Sequence, residues 1–349
     1  MPTPDSDVID LRSDTKTMPD AEMRRAMAEA EVGDDVSGED PTVRRLEEMS
    51  ADRLGKEAGL FVASGTMGNL VAIKTHTRPG EEIILETWAH IYRYEAGGLS
   101  WICGLLPRPV NGVHGRMDPD DVEAALSDGS NIHRARTGLL ELENTHNVAG
   151  GTVLSVAQTR ELCDLAHDHH VRVHIDGARI FNAAVALKVD PADLVEPADS
   201  VQFCFSKSLG APVGSMLCGT REFIEQARRF RKVLGGGMRQ AGVIAAAAIV
   251  ALEKGPARLH ADHAHARQIA ETLGELPGIY VDLATVETNI INLEVQREDV
   301  NAPSLCLALE TCDILAVSRD DRHIRLVTHV QVTDEDTDRV CRALREILG

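Results

Sequence analysis

The sequence contains no apolar run long enough to cross a membrane. The longest run, residues 241–252, is far shorter than the roughly 20 residues that a bilayer requires, so we expect it to form a buried helix. Residues 1–7 are acidic and contain no apolar core, so we expect no signal peptide. Basic residues are also scarce, since 36 Lys and Arg against 55 Asp and Glu give a net charge of −19. This balance argues against nucleic acid or an anionic membrane as a partner.

The seven cysteines are scattered and include no C-x-x-C pair, which argues against a disulfide framework or a zinc site and favours a reducing cytoplasm. Two histidine groups, His167, His169, His170 and His260, His263, His265, resemble metal ligands. No cysteine or carboxylate completes a site there, so we expect them to be solvated on exposed helix faces and predict no metal. The chain also lacks a dinucleotide-binding glycine fingerprint, which disfavours a dehydrogenase.

Two buried runs end in side chains that can do chemistry. Residues 171–176 predict a strand that ends in Asp176, and residues 201–205 predict another that is followed by Ser206 and Lys207. The carboxyl ends of parallel strands border the ligand crevice of an open α/β sheet, so we expect Asp176 and Lys207 to lie together. In pyridoxal phosphate (PLP) enzymes a lysine forms the Schiff base and an acid keeps the ring nitrogen protonated. Taken singly, however, an Asp after a strand is typical of a turn, and a lone Lys is typical of a solvated surface.

A third motif strengthens the PLP interpretation. The short apolar strand 60–63 leads into Ser64-Gly65-Thr66-Met67-Gly68 and then into an apolar helix. Backbone N–H groups at such a helix start, beside small hydroxyl side chains, form an anion site suited to a phosphate group. The motif is weak alone, but phosphate site, acid and lysine in this chain order together favour a PLP enzyme.

The predicted strands and helices alternate along most of the chain, which indicates an α/β fold with a mostly parallel central sheet. From about Gly255 the pattern changes to that of a smaller α+β unit. We therefore predict a PLP-binding large domain over residues 1–254, including the N-terminal segment, and a smaller C-terminal domain over residues 255–349.

Short motifs from one end of the chain to the other match a known family. They are DLRSDT (10–15), EVGDDVSGEDPT (31–42), SGTMGN (64–69), AHIY (89–92), ENTHN (143–147), HIDGARIFN (174–182), SK (206–207), GGGMRQ (235–240) and IRLVTH (324–329). In this combination the chain resembles the low-specificity L-threonine aldolases, which are PLP enzymes of fold type I. The resemblance implies cleavage of L-β-hydroxy-α-amino acids (L-threonine, L-allo-threonine, phenylserine) to glycine and an aldehyde through a Schiff base.

The resemblance also implies a role for individual residues. Lys207 would form the Schiff base, Asp176 would face the ring nitrogen, His90 would stack on the ring, and His146 would act as a base near the substrate hydroxyl with an imidazole that titrates near pH 6.5. The remaining predicted contacts are Ser64, Gly65 and Thr66 with the phosphate, Arg179 with cofactor and substrate, and Ser13 and Arg325 with the substrate carboxylate. Arg179 and Arg325 as structural ion-pair partners, and His90 and His146 as core histidines, remain alternatives. Ser37 stands where relatives carry a tyrosine.

The resemblance further implies a homodimer or homotetramer with shared active sites. Arg231, Lys232 and Arg239 flank the triglycine turn, and basic groups there could reach the cofactor phosphate of a neighbouring subunit. The same scaffold could instead run β-elimination, racemisation or transamination, although His90 and His146 favour aldol cleavage. A non-catalytic PLP-binding regulator would need a DNA-reading module, for which the acidic chain offers no basic helix.

Overall fold

The computed structural model describes residues 7–349. The expectation that residues 1–7 hold no signal peptide therefore concerns a segment that lies almost wholly outside the described residues. Within residues 7–349, every helix is too short or too polar to span a bilayer.

The strands, in chain order, are β1 Ile9–Asp10, β2 Ala58–Val62, β3 Glu82–Glu86, β4 Leu106–Val110, β5 Gly112–Val113, β6 Arg116–Met117, β7 Thr137–Glu143, β8 Arg172–Asp176, β9 Ser200–Cys204, β10 Ser215–Gly219, β11 Ile279–Tyr280, β12 Ile290–Val295, β13 Ile314–Leu315, β14 Val317–Ser318 and β15 His323–Val327. The helices are α1 Ala21–Ala28, α2 Pro41–Arg53, α3 Gly65–His76, α4 His90–Arg93, α5 Gly98–Trp101, α6 Pro119–Ala125, α7 Val156–Asp168, α8 Ile180–Leu187, α9 Pro191–Val195, α10 Arg221–Val233, α11 Gly242–Gly274, α12 Ala302–Glu310 and α13 Asp334–Leu348.

The central sheet has seven strands in the order β2-β10-β9-β8-β7-β3-β4. All neighbours pair in parallel except at β10, which is antiparallel to both β2 and β9. The strands β7, β8 and β9 lie in the middle and are almost fully buried, as their apolar runs predict. The predicted α/β fold with a mostly parallel sheet is confirmed.

A second, antiparallel sheet of four strands, β11-β12-β15-β14, belongs to the C-terminal region. Residues 314–318 form two short strands instead of one, because β13 pairs with β1 whereas β14 pairs with β15. Through β1, Ile9 and Leu11 pack into the same hydrophobic core as the C-terminal sheet. Residues 9–11 therefore pack with the C-terminal sheet and not with the large domain in which the prediction placed them, whereas Met23 packs in the core of the large sheet. A two-residue strand whose partner is 305 residues away leaves no periodic pattern to detect.

Helix α11 joins the two regions. It runs without interruption from Gly242 to Gly274 and contains Pro256, so the predicted boundary at 254/255 lies inside a helix. Its first half is alanine-rich and packs in the core of the large sheet, while Ala266, Ile269 and Leu273 pack against the C-terminal sheet. The predicted buried helix over 241–252 is thus the first part of a longer element.

Candidate active site

Asp176 and Lys207 follow neighbouring strands, as predicted. Asp176 is the last residue of β8 and is buried; Oδ1 accepts hydrogen bonds from Gln202 Nε2 at 2.6 Å and Ala178 N at 3.1 Å, and Oδ2 accepts one from Asn69 Nδ2 at 2.9 Å. Burial alone would raise the pKa of Asp176, but the positive charges of His90 and Lys207 and these hydrogen bonds together lower it. Asp176 is therefore held as a carboxylate.

Lys207 lies just beyond the end of β9 and is half-buried. Within residues 7–349 its amine has no hydrogen-bond or ion-pair partner, although its charge lowers the pKa of both Asp14 and Asp176. An amine without a partner, close to two buried carboxylates, is free to react with an aldehyde.

His90 begins α4 and lies beside Asp176. Its Nδ1 is 3.0 Å from Glu95 Oε1, and its backbone N–H donates to Glu143 Oε2 at 2.7 Å. Burial would lower the pKa of His90, but the bond to Glu95 and the charge of Asp176 raise it. Ligand atoms of His90, Glu95 and Asp176 lie within 4.8 Å of one another, so these groups also have the composition of a metal site. The hydrogen bond from His90 engages Glu95 Oε1, while Glu95 Oε2 is buried without a partner among the described residues.

The predicted phosphate site is the N-terminus of α3. Ser64 caps this helix, its Oγ accepting from Met67 N at 3.2 Å. In the described part of the chain the backbone N–H groups of Gly65 and Thr66 have no acceptor. A Cβ built on Gly65 would lie 2.9 Å from Cys204 Sγ, so the helix start packs directly against the end of β9, near Lys207. Two free N–H groups at a helix start suit an anion.

The triglycine turn packs beside this helix start, because a Cβ on Gly236 would collide with Met67. Of the three basic residues flanking the turn, Arg231 is buried and bound within its own chain, to Asp35 at 2.8 Å and to the Phe61 carbonyl at 2.7 Å. The suggestion that Arg231 could reach a neighbouring subunit is therefore wrong. The side chain of Lys232 is exposed, and that of Arg239 is exposed and pairs with Asp34 at 2.7 Å.

Arg179 follows β8 and is buried, but most of its guanidinium is already engaged. Its Nε and Nη2 donate to the two carboxylate oxygens of Asp14, each at 2.7 Å. Asp14 also accepts from Ser208 Oγ at 2.8 Å. Arg179 is thus a structural ion-pair partner through two of its nitrogens, which was one of the alternatives considered. Its Nη1 has no partner among the described residues.

Arg325, on β15, is better placed to bind an anion. It has no carboxylate partner within residues 7–349, and its Nη1 donates to Asn147 Oδ1 at 2.9 Å. Asn147 is itself fixed, since its backbone N–H donates to Glu143 Oε1 at 2.8 Å. Burial and the charges of Arg179 and Arg319 lower the pKa of Arg325 to about 10, so the group stays charged at neutral pH. Ser13 caps the turn Asp14–Lys16, and its chain neighbour Asp14 binds Arg179.

His146 is a buried residue in the loop after β7. Its Nε2 is 3.0 Å from Glu86 Oε2, and its Nδ1 accepts from Ala149 N at 3.2 Å. Burial would lower the pKa of His146, but the charges of Glu143 and Glu86 raise it. The expectation that His146 has the pKa of an unperturbed imidazole is therefore wrong. In its neutral form the ring also has a hydrogen-bond partner at each nitrogen.

The sequence analysis missed several residues that build the site, namely Asp14, Asn69, Glu86, Glu95, Glu143 and Gln202. One signal was available for some of them. Buried parallel strands are expected to be apolar, yet β7, β8 and β9 carry polar residues at alternate positions, and the register aligns Glu143 with Asp176 and Asp176 with Gln202. Polar side chains at a period of two on three adjacent buried strands indicate one shared polar face.

The two histidine groups do not form a metal cluster within the described residues. His167, His169 and His170 are exposed, as expected. The expectation is wrong for His265, which is buried and 2.7 Å from Asp334, and His263 is hydrogen bonded to Asn182 at 3.2 Å.

Comparison with known proteins agrees with this geometry. Residues 10–296 match the family model described as beta-eliminating lyase. Low-specificity L-threonine aldolase 1 of Arabidopsis thaliana is 49% identical over 94% of this chain and 93% of its own length. The low specificity L-threonine aldolase of Escherichia coli (strain K12) is 42% identical over 98% of this chain and 100% of its own length. The chain belongs to the low-specificity L-threonine aldolase family.

The fold of this aldolase family member is also seen in solved structures. A threonine aldolase of Leishmania major superposes with a TM-score of 0.84 at 19% identity. The superposition covers 98% of this chain and 100% of the Leishmania chain. At that identity the likeness establishes the fold, which is that of PLP-dependent enzymes of fold type I. The residues present fit PLP, since the site combines an amine without a partner, a carboxylate at a strand end, an imidazole and two free N–H groups.

Proposed function

We propose that the protein is a PLP-dependent aldolase that cleaves L-β-hydroxy-α-amino acids such as L-threonine, L-allo-threonine and phenylserine to glycine and an aldehyde. The observation that carries this proposal is the unpartnered amine of Lys207 close to the buried carboxylate of Asp176, in a chain of this family. When bound, PLP supplies an electron-accepting ring that takes up the electron pair of the bond broken at the substrate α-carbon.

The residues that would hold PLP have separate tasks. Lys207 supplies the amine that bonds to the cofactor aldehyde, and the Asp176 carboxylate accepts the hydrogen bond of the protonated ring nitrogen. His90, held by Glu95 and by Glu143, covers the ring. The free N–H groups of Gly65 and Thr66 bind the phosphate, with the Ser64 hydroxyl beside them.

Arg325 orients the substrate. Asn147 fixes one guanidinium nitrogen of Arg325, which leaves the others to bind the α-carboxylate, with Nη1 of Arg179 and the Ser13 hydroxyl as further donors. A carboxylate held in one place fixes which bond at the α-carbon is aligned for cleavage.

His146 is the proposed acceptor of the β-hydroxyl proton. As a neutral ring it carries its proton on Nε2, which donates to Glu86, so the substrate proton must be taken up at Nδ1. This requires the ring to give up the bond from the Ala149 N–H. The resulting imidazolium is stabilised by Glu86 and Glu143, whose charges already raise the pKa of His146.

We also propose a homodimer or homotetramer in which Lys232 and Arg239 contact the cofactor phosphate of a neighbouring subunit. Support comes from the exposure of these side chains beside the start of α3 and from Val233, an apolar residue that is 80% exposed next to Lys232. The seven free cysteines support a reducing compartment such as the cytoplasm.

The direct test is glycine release by the purified, PLP-loaded protein from L-threonine, L-allo-threonine, L-phenylserine and their D forms. We expect glycine from the L substrates, and we expect Lys207→Ala to abolish its release because no other described amine lies free at this site. The release of ammonia and an oxo acid in place of glycine would move the reaction to β-elimination. Wild-type activity in Lys207→Ala would refute the assignment of the whole site.

A further inference from the structure

A line of hydrogen-bonded side chains leads away from Asp176 along one face of the large sheet; Asn69, His174 and Ser200 are buried and His76, at its end, is half-buried. Its hydrogen bonds join His76 Nε2 to Ser200 Oγ at 2.7 Å, Ser200 Oγ to His174 Nδ1 at 2.8 Å, and His174 Nε2 to Asn69 Oδ1 at 3.2 Å. Asn69 Nδ2 then donates to both Asp176 Oδ2 and Glu95 Oε1, each at 2.9 Å. The mechanism above uses Asp176 and Glu95 but none of the other members.

Both imidazoles in this line are neutral at neutral pH. Burial lowers the pKa of His174 to about 4 and that of His76 to about 3, so each ring carries a single proton. A neutral imidazole donates through one nitrogen and accepts through the other. The direction of every hydrogen bond in the line can then be worked out from its carboxylate end.

Asp176 accepts from Asn69, because an ionised carboxylate cannot donate, and Glu95 Oε1 accepts from the same NH₂ group. The Asn69 amide must therefore turn its NH₂ group toward them and its Oδ1 toward His174, which donates through Nε2–H. His174 Nδ1 then accepts the single hydroxyl proton of Ser200, and Ser200 Oγ accepts from His76 Nε2–H. All the donors point toward the two carboxylates.

The Asn69 amide is the critical group, because it has two orientations of similar shape. In the alternative orientation its oxygen would face the oxygens of Asp176 and Glu95, and its NH₂ group would face the N–H of His174. One carboxylate partners the cofactor nitrogen in the proposed function, and the other holds His90. The Asn69 amide thus positions Asp176 directly and His90 through Glu95, and these are the two groups that touch the cofactor ring in the proposed function.

We propose that His174 is a positioning residue of the reaction, whose Nε2–H fixes the orientation of the Asn69 amide and thereby holds both Asp176 and Glu95. The inference rests on the proposed function only in taking Asp176 as the partner of the cofactor nitrogen. His174 touches neither cofactor nor substrate, and its effect passes through Asn69.

Two substitutions of His174 separate hydrogen bonding from packing. In His174→Gln the side-chain NH₂ can still donate to Asn69 and the side-chain oxygen can still accept from Ser200. His174→Phe keeps a planar ring but offers no donor. The matched control is His265→Phe, which removes another buried imidazole that is hydrogen bonded to a carboxylate, at Asp334, outside the site.

The first readout uses the apoprotein and is independent of catalysis. We expect a slowly exchanging imidazole N–H signal in ¹⁵N-edited NMR spectra of the wild type that disappears in His174→Gln and His174→Phe. The second readout is the ¹⁵N shift of the ring nitrogen of labelled PLP at neutral pH. We expect the protonated position in the wild type, His174→Gln and His265→Phe, and a shift toward the unprotonated position in His174→Phe. The kcat of His174→Phe should fall about tenfold or more with KM little changed, as it does when a residue that orients a metal ligand is replaced.

Several outcomes would overturn the proposal. One is the absence of a protected His174 N–H signal in the wild type, which can be observed even if His174→Phe does not fold. Another is a wild-type ¹⁵N shift in a folded, PLP-bound His174→Phe. An equal fall in kcat in His174→Gln and His174→Phe would also contradict a role for the hydrogen-bond donor that faces Asn69. A wild type that shows these signals but releases no glycine would refute the proposed reaction and leave the role of His174 intact.

Discussion

Glu141 is a carboxyl group that the reaction does not use, buried in the middle of β7. It is fully inaccessible, neither of its oxygens has a hydrogen-bond partner among the described residues, and the register places it beside His174 on the polar face of the sheet. Burial, together with the negative charges of Glu143 and Asp176, raises the pKa of Glu141 well above its usual value. The group is therefore neutral in the folded protein over a range of pH in which it ionises in the unfolded chain.

This difference gives a stability prediction with a definite sign. Because the folded-state pKa is raised, the folded protein retains a proton that the unfolded chain releases above about pH 4.3, so stability is lost as pH rises toward the folded pKa. Glu141→Gln cannot ionise and should escape this loss. We expect it to be more stable than the wild-type apoprotein at pH 8, by about 1–3 kcal/mol, in urea unfolding.

The comparison must be made at two pH values. The advantage of Glu141→Gln should shrink toward pH 4.5 and vanish at lower pH, because well below about pH 4.3 Glu141 is protonated in both states of the chain. Glu141→Leu should gain at both pH values, because it also removes a buried polar group without a partner. An advantage of Glu141→Gln that does not change with pH would show that Glu141 is not protonated in the fold.

At the scale of helices, one buried aspartate fixes the start of two of them. Asp40 caps α2 by accepting from Val43 N at 3.0 Å, and its other oxygen accepts from Gly242 N at 2.8 Å, where α11 begins, and from Gly33 N at 3.2 Å. The carboxylate thus ties the loop that carries Asp34 and Asp35 to the long helix that joins the two sheets. The acidic loop itself forms a turn at Asp34–Gly38.

We expect Asp40→Ala to destabilise the protein by about 2–4 kcal/mol, because it leaves two buried N–H groups and one part-buried N–H group without an acceptor. Asp40→Asn should fall between the wild type and Asp40→Ala, since its oxygen can cap α2 while its NH₂ group opposes Gly242. The measurement is urea unfolding, with Asp118→Ala as the matched control. Asp118 caps α6 through one bond, to Asp120 N, and is exposed. An equal loss of unfolding free energy in Asp40→Ala and Asp118→Ala would contradict the role given to Asp40.

The elements that carry the chemistry were predictable, whereas the contacts that position them were not. Buried apolar runs predict β8 and β9, and the end of each strand predicts where Asp176 and Lys207 lie. No local pattern indicates that Asn69, which lies 107 positions before Asp176 in the chain, reaches it, or that Asp14 occupies the fork of Arg179. Such contacts depend on how helices and distant segments pack on the sheet, which one sequence does not encode as a period or a motif.

For the whole molecule, association of subunits decides whether one chain completes its own site. Lys232 lies beside the start of α3 but is exposed, and the neighbouring Val233 is an apolar side chain facing solvent. Both features fit a surface that is covered by a second copy of the chain. Light scattering should then give a mass of two or four times 37.8 kDa.

Subunit mixing tests whether Lys232 serves its own site or that of its neighbour. Lys207→Ala should be inactive, and Lys232→Ala should bind PLP weakly because a phosphate contact is lost. If sites are shared, a hybrid dimer of the two variants has one doubly defective site and one wild-type site, so random mixing should restore about a quarter of wild-type activity. If Lys232 serves its own chain, every site in the hybrid carries one defect and mixing restores nothing. An active monomer would contradict shared sites directly.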